Sequence, residues 1–508
     1  MIRRDVLTGL MAVLGLPVVA QQGGPVQGLQ LGTPAPFQLT DLREMARGMA
    51  TQPYVAPATV PKQWTDIDYD TYRSIWFDSR KALWEASGTE PFRVDVFPPG
   101  LFYPAPVRID VVEGGAARPI LFDIGVFDKS DQFPDLPQDD SLGYSGFRLR
   151  AELETPGIFT EFAVFQGASY FRGIGTGQIY GLSARGLILD TAEPSGEEFP
   201  EFRRFWIERP SPGAPDLVIH ALLDSPSCTG VYRFRIRPGA RLDIAVDAEV
   251  FARRTLRHIG LGALTSMFQF DETNRHRFSD FRSAVHDNDG LLMVNGANET
   301  LWRPLANPRH LQISAFEDRD PRGFGLMQRA QSFDDFADLE ALYHRRPSLW
   351  ITPRGSWGKG TVTLVEIPTD NEVNDNIVAY WRPANPVAKG SSLAFSYDMT
   401  WGRDGQGSGL RVINTRAGRG QSDGLVFAID YAPGATLPAD LSQVVGAVFT
   451  TAGTVSAATV QQNPVTGGPR LNFTFRPGAA AIAELRAELQ FADGSMLGEV
   501  WLYRWTPE

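Results

Sequence analysis

Short runs in which apolar and polar residues alternate dominate the chain after Pro91. Residues 232–236 and 242–246 form two such runs, and a Pro-Gly pair at 238–239 separates them. A period of two is the mark of a half-buried strand, so the pair predicts a β-hairpin with one apolar and one largely charged face. Residues 107–111 alternate in the same way. The pattern predicts a chain built mainly of short strands.

Helical periodicity is confined to two short segments. Apolar residues recur at helical spacing between residues 42 and 49, and Pro53 ends the segment, which predicts a short helix after Thr40. A second stripe, from Phe336 to Tyr343, predicts a packing helix with two acidic residues at its start.

Composition supports the strand interpretation. The 508 residues include 50 Gly and 37 Pro, more than the combined share of about 12% that is usual in globular proteins. Many glycines and prolines are typical of a chain with many tight turns. The sequence therefore predicts an all-β fold.

A change in pattern near residue 384 predicts a domain boundary. Residues 384–392 are expected to form a linker between a large β domain, 37–383, and a second domain, 393–508. The second domain carries short strands without a helical period, and Asp493-Gly494 signals a hairpin. About 115 residues of this kind are typical of an immunoglobulin-like β-sandwich.

The N-terminus has the features of an export signal. Arg3 and Arg4 precede an apolar run that is too short for a permanent span of about 20 residues, and Val18 and Ala20 fit a cut after Ala20. Residues 1–20 are thus interpreted as a signal peptide, and the arginine pair favours the twin-arginine kind. Residues 21–36 are expected to be a flexible lead-in, and the product is expected in the periplasm with no stable membrane insertion.

The net charge and the numbers of Cys and His exclude several classes of function. The chain has 48 Lys and Arg against 59 Asp and Glu, a net charge of −11, which argues against nucleic acid as the main partner. A single Cys excludes an internal disulfide and a cysteine-based zinc site, and no two of the six His have metal-ligand spacing. Residues 287–298 lack the later acidic ligands of a calcium loop. No metal and no cofactor are expected.

Two clusters of acids carry the candidate chemistry. Asp370, Glu372 and Asp375 lie within six residues, with Trp357 upstream and Tyr380-Trp381 downstream, and a second cluster contains Asp287 and Asp289. Crowded carboxylates raise one another's pKa, as a general acid requires. A pair of carboxyl groups is sufficient to cleave a glycosidic bond, and aromatic faces stack on sugar rings. The alternative is that both clusters are ordinary surface turns, where Asp and Asn are common.

The chain resembles the periplasmic glucan biosynthesis proteins of the OpgG/OpgD type, also called MdoG/MdoD. The similarity extends over nearly all of the predicted mature chain, and its motifs are long. They are found at residues 167–172, 180–187, 194–200, 264–268, 287–291, 345–350, 357–360, 366–370 and 381–383.

This resemblance implies a large N-terminal β-sandwich similar to galactose mutarotase-like domains, followed by a small immunoglobulin-like domain. It also implies a β-1,2-linked glucan as partner. Separately from the resemblance, a second copy of the chain is a further candidate partner. Members of the OpgD kind resemble inverting glycoside hydrolases that cleave β-1,2-glucan, and some relatives transfer the chain instead. The twin-arginine signal favours the OpgD kind.

Carried over by motif, the resemblance implies Asp375 as general acid and Asp287 as a general base that acts through water and a substrate hydroxyl. Glu372 is expected to support Asp375 or the relay. Asp370 and Asp289 are the alternatives within the two clusters. An inverting pair is expected about 6.5–9.5 Å apart, or farther with a water relay.

Substrate contacts are expected from aromatic and cationic side chains around these acids. The candidates are Trp357, Tyr380, Trp381 and Arg172, together with Asp289 and Asp370. Three hypotheses remain: an endo-acting β-1,2-glucanase, a transglycosylase that cyclises or branches the same glucan, and a non-catalytic glucan-binding or scaffolding protein.

Overall fold

The computed structural model describes residues 28–128, 133–403, 407, 409–420, 424–434, 437–438 and 440–507. The α-helices are α1 Leu39–Ala50, α2 Lys62–Thr65, α3 Tyr69–Arg73 and α4 Phe333–Phe336. The strands of the first half are β1 Ala35–Pro36, β2 Phe92–Phe97, β3 Arg108–Glu113, β4 Ala116–Pro119, β5 Gly146–Glu152, β6 Phe159–Gln166, β7 Tyr170–Gly173, β8 Ser183–Arg185, β9 Ile188–Leu189, β10 Glu201–Glu208, β11 Leu217–Asp224, β12 Cys228–Arg237, β13 Leu242–Ala252, β14 Ile259–Ser266, β15 Phe268–Phe270 and β16 Val285–His286.

The remaining strands are β17 Gly290–Val294, β18 Thr300–Pro304, β19 Gln312–Arg319, β20 Gly323–Met327, β21 Ser348–Arg354, β22 Lys359–Glu366, β23 Ile377–Pro383, β24 Ser392–Gly402, β25 Val412–Arg419, β26 Leu425–Tyr431, β27 Val444–Thr450, β28 Thr454–Val455, β29 Thr459–Gln462, β30 Pro469–Arg476, β31 Ala483–Phe491 and β32 Val500–Trp505. The prediction of an all-β fold is confirmed.

One long sheet extends through both parts of the molecule. Within the described residues it has 15 strands, in the order β1-β4-β3-β10-β11-β12-β13-β24-β21-β20-β17-β18-β32-β31-β27. A sheet of ten strands, β19-β22-β23-β14-β8-β7-β6-β5-β2 with β9 beside β14, forms the other layer of the large sandwich. A sheet of β25, β26, β28, β29 and β30 packs against the far end of the long sheet.

Phenylalanines on neighbouring strands of the ten-stranded sheet build the core of the large sandwich. Phe147, Phe165 and Phe171 are successive cross-strand partners with ring centroids 5.2 Å apart, and the rings are stacked. Such cross-strand aromatic pairs stabilise a sheet beyond the apolar area they bury. Phe234 from the long sheet contacts Phe165 and Phe171 edge-on, so the two layers interdigitate.

The hairpin predicted from residues 232–236 and 242–246 is confirmed, and its strands extend over 228–237 and 242–252. Strands β12 and β13 pair antiparallel, with Tyr232 opposite Ala248, and the apolar side chains of both strands enter the core. Helix α1 agrees with the predicted short helix, and it buries Leu42 and Ala46 against this hairpin.

The predicted helix from Phe336 to Tyr343 is wrong. Helix α4 ends at Phe336, because Ala337 adopts a left-handed conformation with φ of 55°. The carboxylate of Asp338 then accepts the backbone N–H groups of Glu340 and Ala341, which fixes a turn. Leu339, expected on the packed stripe, is 80% exposed.

The change of architecture comes later than the sequence predicts. Strand β24, expected to open the second domain, pairs with β13 and β21 in the long sheet and belongs to the large sandwich. The predicted linker 384–392 therefore connects two strands of the large sandwich, and the second sandwich begins after Gly402. The linker pattern misleads because the partners of β24 are far away in the sequence.

The part of the predicted lead-in that the structure describes is held by the sheet. Strand β1 pairs with β4, and the backbone N–H of Gly32 donates to the carbonyl of Pro119. The expectation of a flexible segment is thus wrong for residues 28–36. The predicted signal peptide, residues 1–20, lies outside the described residues. Among the helices of the described residues, none is long and apolar enough to cross a membrane.

A buried ion pair joins the two sandwiches. Arg329, at the end of β20, donates to both carboxylate oxygens of Glu499 at 2.6 and 2.7 Å, and its guanidinium lies 3.6 Å from the ring centroid of Trp302. Glu499 is fully buried, and it also accepts the backbone N–H of Val412. A well-bonded buried pair of this kind is costly to break, because removing one partner leaves the other charge uncompensated.

We therefore expect Glu499→Gln to lower the free energy of unfolding by about 3 kcal/mol, measured by urea denaturation. The matched control is Asp66→Asn, which removes an exposed pair with Lys62 and is expected to cost less than about 1 kcal/mol. Equal effects of the two substitutions would show that the buried Arg329–Glu499 pair contributes no more to stability than an exposed pair.

Candidate active site on the outer face of the ten-stranded sheet

Strands β7 and β8 place cationic and aromatic side chains on the outer face of the ten-stranded sheet. Because side chains alternate along a strand and Phe171 enters the core, Tyr170 and Arg172 point outward. Arg185 lies directly opposite Tyr170, with its guanidinium 4.6 Å from the centroid of the Tyr170 ring. Arg185 is buried, and it donates to Thr265 and Glu197.

The loop that carries Asp375 is anchored by the next residue. Asn376 is buried, and its side-chain amide donates to the carbonyls of Phe268 and Ile367 and accepts the N–H of Phe268 at 2.8 Å. These bonds satisfy the amide and tie the loop to the neighbouring strand β15. The backbone at Asp375 is therefore fixed immediately before β23 begins.

A second buried asparagine anchors the loop that carries Asp287. Asn288 accepts a hydrogen bond from Ser266 at 2.6 Å and donates to the carbonyls of Leu326 and Pro347. The N–H of Asp287 donates to the carbonyl of Met267 at 2.9 Å. Each candidate acid is thus followed by an asparagine that holds its backbone, which a mobile surface turn would not require.

Asp375 is a buried carboxyl with an unsatisfied oxygen. Its side chain is 10% exposed, and among the described residues Oδ2 has no hydrogen-bond partner, the nearest guanidinium being that of Arg172 at 3.8 Å. Burial raises the pKa of Asp375 to about 6, and the charge of Asp287 acts in the same direction, against Arg172, Arg185 and Arg346. The two carboxyl groups therefore lie within electrostatic range, and Asp375 is poised to hold a proton near neutral pH.

Arg346 binds the second acid. It forms an ion pair with Oδ1 of Asp287, and its guanidinium lies 4.3 Å from the centroid of the Tyr343 ring. It also donates to the carbonyl of Ala341. This pairing neutralises much of the charge that Asp287 brings into a buried position.

Glu372 lies at an ionic junction between three loops. It accepts hydrogen bonds from Tyr343 Oη at 3.2 Å and pairs with Arg282 at 2.7 Å. Arg282 also binds Asp280 and Asp338, each at 2.8 Å. Burial raises the pKa of Tyr343, so its hydroxyl stays a donor. Glu372 is thereby linked through Tyr343 to Arg346 and Asp287.

His286 does not act as a cation beside Asp287. Its ring is buried and stacked on Phe268 with centroids 5.5 Å apart. Burial lowers the pKa of His286 to about 3, so the imidazole is neutral at physiological pH.

The rings of Trp381 and Tyr380 are not accessible to a sugar. Both side chains are fully buried, and Tyr380 Oη is hydrogen-bonded to His258 at 2.6 Å. Trp357 is partly buried, donates to the carbonyl of Ser396 and packs on Trp381 and Tyr397. Trp381 lies in the core of the large sandwich, whereas Tyr380 packs in a separate apolar cluster on the other face of the same sheet. The expectation that they stack on substrate is wrong for Trp381 and Tyr380.

The two alternative acids have other surroundings. Oδ2 of Asp289 accepts the N–H groups of Arg329 and Ala330, so this residue holds the end of β20, and burial raises its pKa to about 6. Asp370 is exposed, and its carbonyl accepts a hydrogen bond from Gln269. Asp375, Asp287, Glu372 and Arg172 are the predicted residues that the structure brings together.

Sequence reasoning missed Tyr343 and Arg346 as members of this site. A helical stripe explained Tyr343, and Arg346 lies in the family motif at residues 345–350 but follows no pattern that links it to Asp287. Tyr170 and Arg185 lie in motifs that carry the family resemblance, and each directly neighbours a core residue on its strand, Phe171 and Ala184, which is the signal that could have identified them. Among the described residues, no group of three or more His, Cys, Asp or Glu side chains could hold a metal ion.

Comparison with known proteins finds relatives over most of the chain. The profile of the family described as "Periplasmic glucan biosynthesis protein, MdoG" matches residues 37–505. "Glucans biosynthesis protein G" of Vibrio cholerae serotype O1 is 46% identical over 470 residues, which cover 91% of this chain and 85% of the relative. "Glucans biosynthesis protein G 1" of Shewanella oneidensis is 44% identical over 470 residues, covering 91% and 86%. Both relatives carry the G name, and the preference for the OpgD kind stays a prediction. The chain belongs to the MdoG family of periplasmic glucan biosynthesis proteins.

Proposed function

We propose that the protein acts in the periplasm on the β-1,2-linked backbone of glucans as an inverting endo-glucanase, with Asp375 as general acid. The observation that supports this most directly is the buried Asp375 carboxyl, whose Oδ2 lacks a hydrogen bond and whose pKa is raised to about 6. A carboxyl that holds a proton near neutral pH is what protonation of a glycosidic oxygen requires. Export by the twin-arginine route is part of the same proposal.

In the proposed step, protonated Asp375 donates its proton to the glycosidic oxygen while the bond from that oxygen to the anomeric carbon breaks. A water attacks the opposite face of the sugar, and its proton passes through a substrate hydroxyl to Asp287. Positive charge develops on the ring in the transition state, and the anomeric configuration inverts. The next cycle requires Asp375 to regain a proton and Asp287 to lose one.

Glu372 and Tyr343 are proposed to orient this site. The hydrogen bond from Tyr343 Oη fixes Glu372, and the Tyr343 ring supports the guanidinium that pairs with Asp287. Arg172 is proposed to bind substrate hydroxyls, because among the described residues its side chain has no ion pair closer than the 3.8 Å contact with Asp375. Directional guanidinium donors of this kind suit hydroxyl-rich ligands.

A transglycosylase is the second candidate, and the burial of the Asp375 carboxyl favours it. A site that excludes water slows hydrolysis and favours attack by a sugar hydroxyl on the same glycosyl group. The acid and base would keep their roles, and the acceptor hydroxyl would replace water.

Substitution of either acid tests the proposal. We expect Asp375→Asn and Asp287→Asn to lower turnover of linear β-1,2-glucan by about 10²–10⁴-fold, because a lost general acid or base has effects of this size. The measurement is the change in chain length followed by chromatography. Glu340→Gln, an exposed carboxylate in the Tyr343 loop, is the matched control and is expected to retain activity. Full activity of Asp375→Asn would contradict the role of Asp375 as general acid. Binding of the glucan by the native protein without any change in chain length would leave the non-catalytic hypothesis.

The pH profile provides an independent test. Because Asp375 must be protonated and its pKa is raised to about 6, the rate is expected to fall as pH rises through about 6. With an aryl β-glycoside as substrate, the rate should not fall in this pH range, since a phenolate leaves without protonation. Circular dichroism over the same range controls for unfolding. If the rate falls at the same pH with both substrates, the titrating group is not Asp375.

Product masses distinguish the two candidates. Hydrolysis raises the number of reducing ends with each cleavage, whereas cyclisation gives products lighter by one water and no new reducing ends. Mass spectrometry and a reducing-end assay on one digest measure both quantities. A rise in reducing ends equal to the number of bonds cleaved contradicts transfer.

A further inference from the structure

A cavity of about 430 Å³ lies between the loops of the large sandwich and the second sandwich. The loop after β18 contributes Asn307 and Arg309, and β19 contributes Gln312. The second sandwich contributes Arg419, Tyr503 and Trp505. The volume is within the range of about 300–1,000 Å³ that small-molecule sites occupy. None of these residues belongs to the proposed active site.

The cavity is basic although the chain is acidic. Against a net charge of −11 for the whole chain, its lining includes four arginines and one acid, Glu272. Glu272 is already paired with Arg416 at 3.4 Å. Arg504 is bound by Glu484, and Arg277 donates to the carbonyl of Asn307.

The other two arginines lack such partners. Among the described residues, Arg309 and Arg419 have neither an ion pair nor a side-chain hydrogen bond, and both are exposed at the cavity. Two guanidinium groups from different sandwiches that face one cavity are suited to hold a carboxylate or phosphate, which they bind through paired N–H donors.

The rest of the lining suits a sugar ring. Tyr503 and Trp505 are two residues apart on β32, so they share a face of the strand, and both are partly buried. The amide of Gln312 donates to Thr506 at 3.3 Å and keeps its oxygen as an acceptor for a ligand. Aromatic surface with a few fixed polar groups is the usual composition of a specific small-molecule site.

We propose that this cavity binds an anionic sugar, with Arg309 and Arg419 on the carboxylate or phosphate and the aromatic pair beside the ring. The proposal does not depend on the proposed glucanase activity, because no residue of the Asp375 and Asp287 loops takes part. The two sandwiches contribute one guanidinium each, so the site requires the assembled chain.

Isothermal titration of the full-length mature protein tests this proposal with four probes: glucose 6-phosphate, glucuronate, glucose and inorganic phosphate. We expect at least one of the two anionic sugars to bind at least about tenfold more tightly than glucose and than inorganic phosphate, since only it engages both halves of the site. Tighter binding of glucose 6-phosphate than glucuronate identifies phosphate as the preferred group, and the reverse identifies carboxylate. No preference over glucose, or equal binding of inorganic phosphate, overturns the proposal.

The double variant Arg309→Gln/Arg419→Gln locates the site. It is expected to lower the affinity for the anionic sugar by at least about tenfold, because charge-assisted hydrogen bonds are lost. The matched control is Arg118→Gln/Arg235→Gln, two exposed arginines outside the cavity. Equal melting temperatures of the variants exclude a folding defect. Undiminished binding by the cavity variant overturns the proposal, since the sugar would then bind elsewhere.

Discussion

The site depends on keeping two carboxyl groups, Asp375 and Asp287, together in a buried position. Such groups repel each other and lose hydration, and the rise in the pKa of Asp375 from 3.8 to about 6 corresponds to about 3 kcal/mol against its charged form. Above that pH the native state bears this cost, because the unfolded chain ionises more easily. Arg346 compensates Asp287 directly, whereas Asp375 has only the more distant Arg172. This difference in compensating charge favours the protonated form of Asp375 and leaves Asp287 paired with Arg346.

The period of a β-strand allows the same short segments to build the core and the site. In β7, Phe171 joins the aromatic core while Tyr170 and Arg172 face outward. The core therefore fixes the positions of the polar side chains, and the loops need only carry the acids to them. The buried asparagines Asn288 and Asn376 do this, since each ties its loop to a strand with hydrogen bonds that solvent does not contact.

Local patterns predicted what depends on neighbours in sequence. The all-β character, helix α1 and the β12–β13 hairpin follow from periodicity and turn residues, and the acid clusters stand out by spacing. The place of β24 in the large sandwich was missed because its two partner strands, β13 and β21, are not its neighbours in the sequence. Proximity in sequence also suggested Trp381 as a sugar contact, although its strand turns the ring inward. The pairing of Arg346 with Asp287 joins residues 59 positions apart and has no sequence signal.

The wall of the cavity between the sandwiches is connected to the acid loop by a series of hydrogen bonds. Asn307, in the wall of the cavity between the sandwiches, accepts the N–H of Thr369 and donates to its carbonyl. Thr369 in turn bonds Asn371 and Asn374, the residues that lead to Asp375. Because these contacts are buried or partly buried, they fix the backbone of the acid loop against the wall of the cavity. The long shared sheet and the Arg329–Glu499 pair hold the second sandwich against the large one, so the cavity wall between them keeps its position beside the acid loop.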